Sequence, residues 1–195
     1  KMIQGGFDKS KMHTLCNFID VEKCEEADYL KKDYYCYIGR ISHEKGIKTL
    51  IAAANRLPHK QVIIGKGPLD AEMKKLAGPN VEFAGFKQWN EIKRIVGQAR
   101  FCVIPSECYE NNPLSVIESQ CLGTPVLGAQ IGGIPELIQE GCNGLHFRSR
   151  DTDDMTAKIQ AMYDAPFDYP SIALEAKKRY NSETYYKQLI QLYNL

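Results

Sequence analysis

Short apolar runs alternate with longer amphipathic stretches along most of the chain. The runs cover residues 34–38, 62–64, 81–84, 101–104, 125–127 and 145–147, and glycine, proline or polar residues bound them. Runs of this length read as buried strands. Between them, apolar residues recur at helical spacing over 46–57, 69–77, 90–99, 113–122 and 134–138, and further helical patterns follow at 153–163, 171–180 and 182–194. Strands alternating with helices predict crossover units, and hence an α/β fold: a Rossmann-like parallel sheet of about six strands with helices on both faces. The first 33 residues are less regular. They contain one extended stretch over 12–15 and a polar loop over 21–32, and 1–4 reads as a helix end closed by Gly5-Gly6, an unusual start that suggests a preceding portion.

The pattern centres on residues 105–128. Pro105 ends an apolar run, a loop carrying Glu107 and Glu110 follows, and Asn112-Pro113 has the signature of a helix start. Asparagine is a favoured N-cap, and proline at the first helical position gives up no needed donor. Leu114, Ile117, Cys121 and Leu122 then form an apolar stripe, which Gly123 stops. On one helix Glu110 and Glu118 would be roughly 80° apart. The cap instead leaves Glu110 in the loop and puts Glu118 about a turn and a half into the helix. The free N–H groups of the first turn lie between them, at the positive end of the helix dipole. A phosphate joined to sugars on either side suits such a site.

Ligands bind at the carboxyl ends of strands in sheets of this kind, so the loops after strands belong together. They are Gly39-Arg40 through Lys45-Gly46, Gly65-Lys66-Gly67-Pro68, Gly85-Phe86-Lys87, the Glu110 loop, and 128–133 with Gly132-Gly133. This edge is rich in glycine and cations. Lys45 close to a helix amino terminus opposes the dipole, and with Arg40 it suggests an anion between them, a diphosphate being the natural choice. Gly65-Lys66-Gly67-Pro68 alone reads as a tight turn, since it matches neither the Walker loop nor the dinucleotide fingerprint. Gly132-Gly133 reads as a close-approach turn that could bring a ligand near the backbone.

Composition removes other classes. The chain has 195 residues, enough for one domain with a sizeable core, and a formal net charge of +1, which calls for no nucleic-acid partner. Seven cysteines form no CxxC pair, and their placement in apolar stretches reads as reduced, buried thiols of a cytosolic protein. Asp151-Thr152-Asp153 imitates a metal-holding triplet. It precedes an apolar-periodic run, however, and reads as a helix cap. No cluster has metal-ligand spacing, so no metal site is expected. Ser106, Ser115 and Cys108 lack a base partner for triad chemistry, and Trp89 reads as packing at a helix start. Tyr185, Tyr186, Leu189, Leu192 and Tyr193 are too many for one packed face of the last helix.

In order along the chain, Gly39-Arg40 with Lys45-Gly46, Gly65-x-Gly67-Pro68, Val81-x-Phe83-x-Gly85, Pro105-Ser106, Glu110-x7-Glu118, Gly123-x-Pro125-Val126, Gly132-Gly133-x-Pro135-Glu136 and Gly141-x-x-Gly144 resemble the retaining glycosyltransferases of the GT-B fold, above all the large family four. The resemblance runs from about residue 12 to the end and identifies the chain as the carboxyl-terminal, donor-binding half. It implies a tail of the interdomain connection over 1–11, a nucleotide-sugar domain over 12–180, and a last helix over 181–195 that crosses onto a missing amino-terminal domain. Arg40, Lys45 and Glu110 are then the expected catalytic residues. The first two would stabilise the departing diphosphate, and Glu110 would accept from donor-sugar hydroxyls. Gly39, Gly65, Phe86, Asn111, Asn112, Pro113, Leu114, Ser115 and Glu118 are the expected donor-binding residues, with Phe86 at the nucleobase, Glu118 on the ribose and the N–H groups of Leu114 and Ser115 at the phosphate.

The resemblance further implies a UDP-, GDP- or ADP-sugar donor, no cofactor, and a saccharide or lipid-linked acceptor held by the missing half. The location would be cytoplasmic, with any peripheral membrane contact made by that half. The sequence departs from the family at Asn111-Asn112, where Gly-Phe is usual, and this bears on the choice of sugar. His43 stands where the family often has proline. A nucleotide-sugar-binding module without catalysis is the alternative.

Overall fold

The computed structural model describes residues 5–24 and 29–193, so the expected helix end over 1–4 lies outside the described residues. Six strands form one parallel sheet: β1 (Tyr34–Ile38), β2 (Lys60–Ile64), β3 (Val81–Gly85), β4 (Cys102–Ile104), β5 (Val126–Ala129) and β6 (Gly144–Phe147), in the order β3-β2-β1-β4-β5-β6. Their crossovers carry α1 (Ile47–Ala54), α2 (Asp70–Leu76), α3 (Trp89–Gln98), α4 (Leu114–Cys121) and α5 (Ile134–Leu137). Three helices follow the sheet: α6 (Thr152–Asp164), α7 (Tyr169–Tyr180) and α8 (Ser182–Tyr193). Packing groups α1 with α2 and α6, and α4 with α5 and α7. The α/β reading therefore holds, element by element.

Helices on both faces explain why the strands read as continuous apolar runs rather than alternating ones. Tyr35, Cys36, Tyr37, Ile63, Cys102, Val103, Val126 and Leu127 are all buried. Tyr35 stacks on Phe101 with ring centroids 5.1 Å apart, and Tyr163 of α6 meets both rings edge-on. Full burial of side chains of this size stabilises the fold by about 1.5–3 kcal/mol each.

The cap readings mostly hold. Asp151 accepts from the N–H of Asp154 at 2.9 Å at the start of α6, so the acidic triplet serves the helix. Asp168 does the same for α7, and Trp89 opens α3 with its Nε1 donating to the carbonyl of Lys23.

Met12, in the stretch over 12–15, is extended as expected, with φ −108° and ψ 121°, and among the described residues that stretch lies outside the sheet. Two expectations need correction. Val21–Cys24, at the start of the loop expected over 21–32, forms a 3-10 turn, and its Cys24 is buried. Not every thiol is inside: Cys24, Cys36, Cys102 and Cys121 are buried, Cys16 and Cys108 half-buried, and Cys142 exposed in the turn before β6, where no helix covers it. In α8 no residue is buried, and Tyr186 and Tyr193 are largely exposed.

Candidate donor site

Chain order reverses beside β1, whose neighbours are β2 on one side and β4 on the other. The loops leaving β1 and β4 meet at this switch point, where a doubly wound sheet usually binds its ligand. Lys45, at the end of the β1 loop, and Glu110, in the β4 loop, pair there, with Lys45 Nζ 2.5 Å from Glu110 Oε1. Ser106, only 2% exposed, donates its hydroxyl to the same oxygen at 2.8 Å. No bond within the described chain claims Glu110 Oε2. Lys45, expected with Arg40 to flank an anion, is thus paired with a carboxylate of the protein itself. Arg40 is exposed and forms no ion pair among the described residues. Glu44 lies close by, its carboxyl held below the ordinary value chiefly by the Ser42 hydroxyl at 2.6 Å, with Arg40 and Lys45 adding to the effect.

Glycines let these loops lie against one another. A Cβ on Gly46, where φ is +68°, would fall 1.9 Å from the carbonyl oxygen of Pro105, and one on Gly65 would fall 1.9 Å from that of Gly39. Gly132-Gly133 works in the same way. A Cβ on Gly133 would meet the Asn111 carbonyl at 1.8 Å, and the Gly133 N–H donates to the carbonyl of Glu110 at 2.7 Å. The backbone that this pair admits is therefore the protein's own Glu110 loop, not a ligand.

Glu107 further anchors that loop. Its Oε1 accepts from the Thr49 hydroxyl of α1 at 2.7 Å, its N–H donates to the Glu44 carbonyl, and Arg150 reaches its Oε2 at 3.4 Å. Sequence reading named neither Ser106 nor Glu107 for the site, because their partners are set by how the loops fold together.

The start of α4 differs from its sequence signature. The helix begins at Leu114, Pro113 is the extended N-cap residue with ψ 119°, and no side chain caps it. Asn112 does not supply the expected cap because its Oδ1 accepts instead from the backbone N–H of Asn17 at 2.9 Å. Among the described residues the first-turn N–H groups consequently have no side-chain cap. Leu114 and Asn111 are exposed, and Ser115 and Asn112 half-buried. Glu118, one turn on, is half-buried without a hydrogen-bond or ion-pair partner among the described residues, and burial pushes its carboxyl above the ordinary value of 4.5.

In the loops after β1, β2 and β3, Gly39, Arg40, Gly65 and Phe86 line one cavity of about 280 Å³ together with Ile38, Ile64, Ile92, Lys66 and Lys87. Phe86 is 65% exposed, so its ring is available to a ligand. A separate cavity of about 420 Å³ lies between α7 and the turn over 139–143, by the amino end of β6, and includes none of the expected residues. Among the described residues no three of His, Cys, Asp or Glu gather as metal ligands, and no helix is long and apolar enough to cross a membrane.

The family model described as glycosyl transferases group 1 matches residues 19–185. The chain belongs to that family. Sulfoquinovosyl transferase SQD2 of Arabidopsis thaliana is 33% identical to it over 137 residues, spanning 68% of this chain and 27% of that protein. The amylovoran biosynthesis glycosyltransferase AmsK of Erwinia amylovora is 26% identical over 174 residues, 80% of this chain and 43% of that one.

Among solved structures, the apo form of the lipopolysaccharide outer core galactosyltransferase WaaB superposes with a TM-score of 0.86 at 16% identity, covering 98% of this chain and 57% of its own. Anabaena HepE in complex with UDP gives 0.85 at 19% identity, covering 99% and 60%. These likenesses give this group 1 chain the fold of a GT-B carboxyl-terminal domain. It spans less than half the length of these two curated relatives and about three fifths of the solved chains.

Proposed function

We propose that the chain is the donor-binding half of a retaining glycosyltransferase, moving a hexosyl-type sugar from a nucleoside diphosphate to a saccharide or glycolipid acceptor in surface polysaccharide assembly. One observation carries the reading. The Lys45–Glu110 pair joins the loops at the topological switch point, and the same sheet edge carries a helix start without a side-chain cap, a largely apolar cavity reached by Phe86, and Glu118, whose side chain has no partner among the described residues.

In this reading the nucleobase enters the cavity against Phe86, and the ribose hydroxyls donate to Glu118. The diphosphate lies on the N–H groups of Leu114 and Ser115 within reach of Arg40 and Lys45, and the free Oε2 of Glu110 accepts from a sugar hydroxyl. The acceptor oxygen attacks the anomeric carbon from the face the diphosphate leaves. The bond from that carbon to the phosphate oxygen breaks, and the departing phosphate takes the acceptor's proton. Preorganised cations and N–H groups stabilise the charge that grows on the leaving group. The acceptor site belongs to an amino-terminal half, so the chain by itself binds donor without turning it over. The UDP complex of HepE and the names of the relatives support a nucleotide-sugar donor and a part in polysaccharide or glycolipid synthesis.

A thermal-shift titration with UDP, GDP, ADP and NAD, with and without magnesium, tests the donor site. A diphosphate at about 100 times its dissociation constant adds about 2.7 kcal/mol to stability, a clear rise in Tm. One nucleoside diphosphate is expected to raise Tm without magnesium, and NAD is not. If none of the four does, the donor reading fails for this chain.

A further inference from the structure

Asn112-Pro113 has every local feature of a capped helix start, yet the cap is not made. With Asn112 as the N-cap, Pro113 would be the first helical residue, and Oδ1 of Asn112 would take the N–H of Leu114 or Ser115. These are the two groups that the donor reading assigns to phosphate. Pro113 has a helical φ of −68°, but its ψ of 119° is extended and leaves it outside the helix instead of at its first position.

What holds Asn112 away is Asn17. Its backbone N–H donates to Asn112 Oδ1 at 2.9 Å, and its side-chain Nδ2 donates to the Asn112 carbonyl at 3.1 Å. Asn17 is itself held in place. Next to it, the ring of Phe18 packs on Tyr185 with centroids 4.6 Å apart, and the N–H of Ile19 donates to the carbonyl of Tyr180 at 3.0 Å. The Asn112 oxygen thus has two possible partners of like kind, each a backbone N–H near the surface, and the anchored Asn17 decides between them.

The geometry points to Asn17 as a positioning residue that keeps Asn112 off α4 and so leaves the Leu114 and Ser115 N–H groups open to the diphosphate. The inference rests on the donor reading for its consequence, though not for the clasp itself. A self-made cap would compete with the ligand for the same donors. Without the Asn17 N–H, the cap forms and nucleotide binding weakens while α4 stays intact.

Two measurements on the 195-residue chain test this, and they can fail separately. The first is amide hydrogen exchange at Leu114 and Ser115. Asn17→Pro removes the N–H and should slow exchange at these amides about fivefold to tenfold, the effect of one cap bond. Asn17→Ala keeps that N–H and should change exchange less. Adding Asn112→Ala to Asn17→Pro should return exchange to the wild-type rate. The second measurement is titration with UDP, GDP and ADP, in which Asn17→Pro should raise the dissociation constant of the bound nucleotide by a similar factor.

Unchanged exchange in a folded Asn17→Pro chain overturns the proposal. If Asn17→Pro does not fold, Asn112→Ala alone decides: exchange at Leu114 and Ser115 should stay as in wild type, and faster exchange would mean that Asn112 already caps α4. If exchange behaves as expected but no diphosphate binds the wild type, the clasp stands and the donor reading falls, taking the proposed consequence with it.

Discussion

Lys45 and Glu110 form an ion pair that joins the loop after β1 to the loop after β4, with Glu110 Oε1 also accepting from the buried Ser106. One oxygen of the carboxylate is thus committed to the protein, and the other is left for a ligand. The pair is partly screened from water, with side-chain exposures of 31% and 17%, so it orients both groups more firmly than a surface pair would.

In the full-length enzyme, Lys45→Ala should therefore lower turnover about a hundredfold, the usual cost of removing one charge-stabilising group. Glu110→Ala should lower turnover while the chain still binds nucleoside diphosphate. Steady-state kinetics with a direct binding measurement check both. Unaltered turnover in either variant would remove the pair from the mechanism.

Glu118 gives a pH dependence of defined sign. Its carboxyl lies above 4.5 because burial penalises the ionised form. A folded pKa above the unfolded one means that ionised Glu118 costs stability at neutral pH, and that the cost disappears as pH falls through the raised value. Ribose hydroxyls donate best to the ionised carboxylate, so nucleotide affinity should fall as pH drops through the same raised value. Glu118→Gln should be at least as stable as wild type at neutral pH yet bind nucleotide about tenfold more weakly. Calorimetric titration across pH, paired with melting curves, shows whether the two effects move in opposite directions.

Glycine substitutions separate close approach from open space. Gly133→Ala puts a Cβ 1.8 Å from the Asn111 carbonyl and must displace the Glu110 loop, at a cost of about 1–3 kcal/mol. At Gly97, inside α3, an added Cβ would meet nothing within 4 Å, and Gly97→Ala should stabilise the protein by about 0.5–1 kcal/mol. Denaturant melts of the two variants should shift in opposite directions.

The thiols should react in order of access. Cys142 is exposed, whereas burial pushes the thiols of Cys24 and Cys121 up to about 11 and about 12. With a disulfide reagent at about pH 8, near the ordinary thiol range, Cys142 should react first. Cys24, Cys36, Cys102 and Cys121 should react only as the protein unfolds, which mass spectrometry of the labelled chain can follow.

Much of the fold is legible directly. Among the described residues the six strands and eight α-helices can be read to within a few residues, because a strand buried on both faces must be apolar throughout and a helix covering it must repeat every three to four residues. The loops after strands can be gathered as one edge from the chain alone, since parallel order puts every such loop on the same side. Gly39, Arg40, Gly65 and Phe86 do share one cavity wall.

Local signals mislead where a distant partner outcompetes them. Asn112 has the cap chemistry that residues 112–118 demand, but Asn17, 95 positions earlier, supplies a competing donor. Gly132-Gly133 announces a close approach without naming what approaches, and the answer is the backbone of Glu110 and Asn111. Ser106 looks idle in the sequence because its acceptor is set by a loop's turn and not by a helical or strand period.

The amino-acid sequence by itself determined the elements, their parallel order and the edge where chemistry gathers, since these follow from periodicity, caps and the direction of each crossover. Only the tertiary structure decided that Lys45 is tied to Glu110, that Glu118 is left without a partner among the described residues, and that α4 starts uncapped. Those outcomes depend on which groups from distant loops come within hydrogen-bond reach, and that distance is set by the packing of the whole sheet.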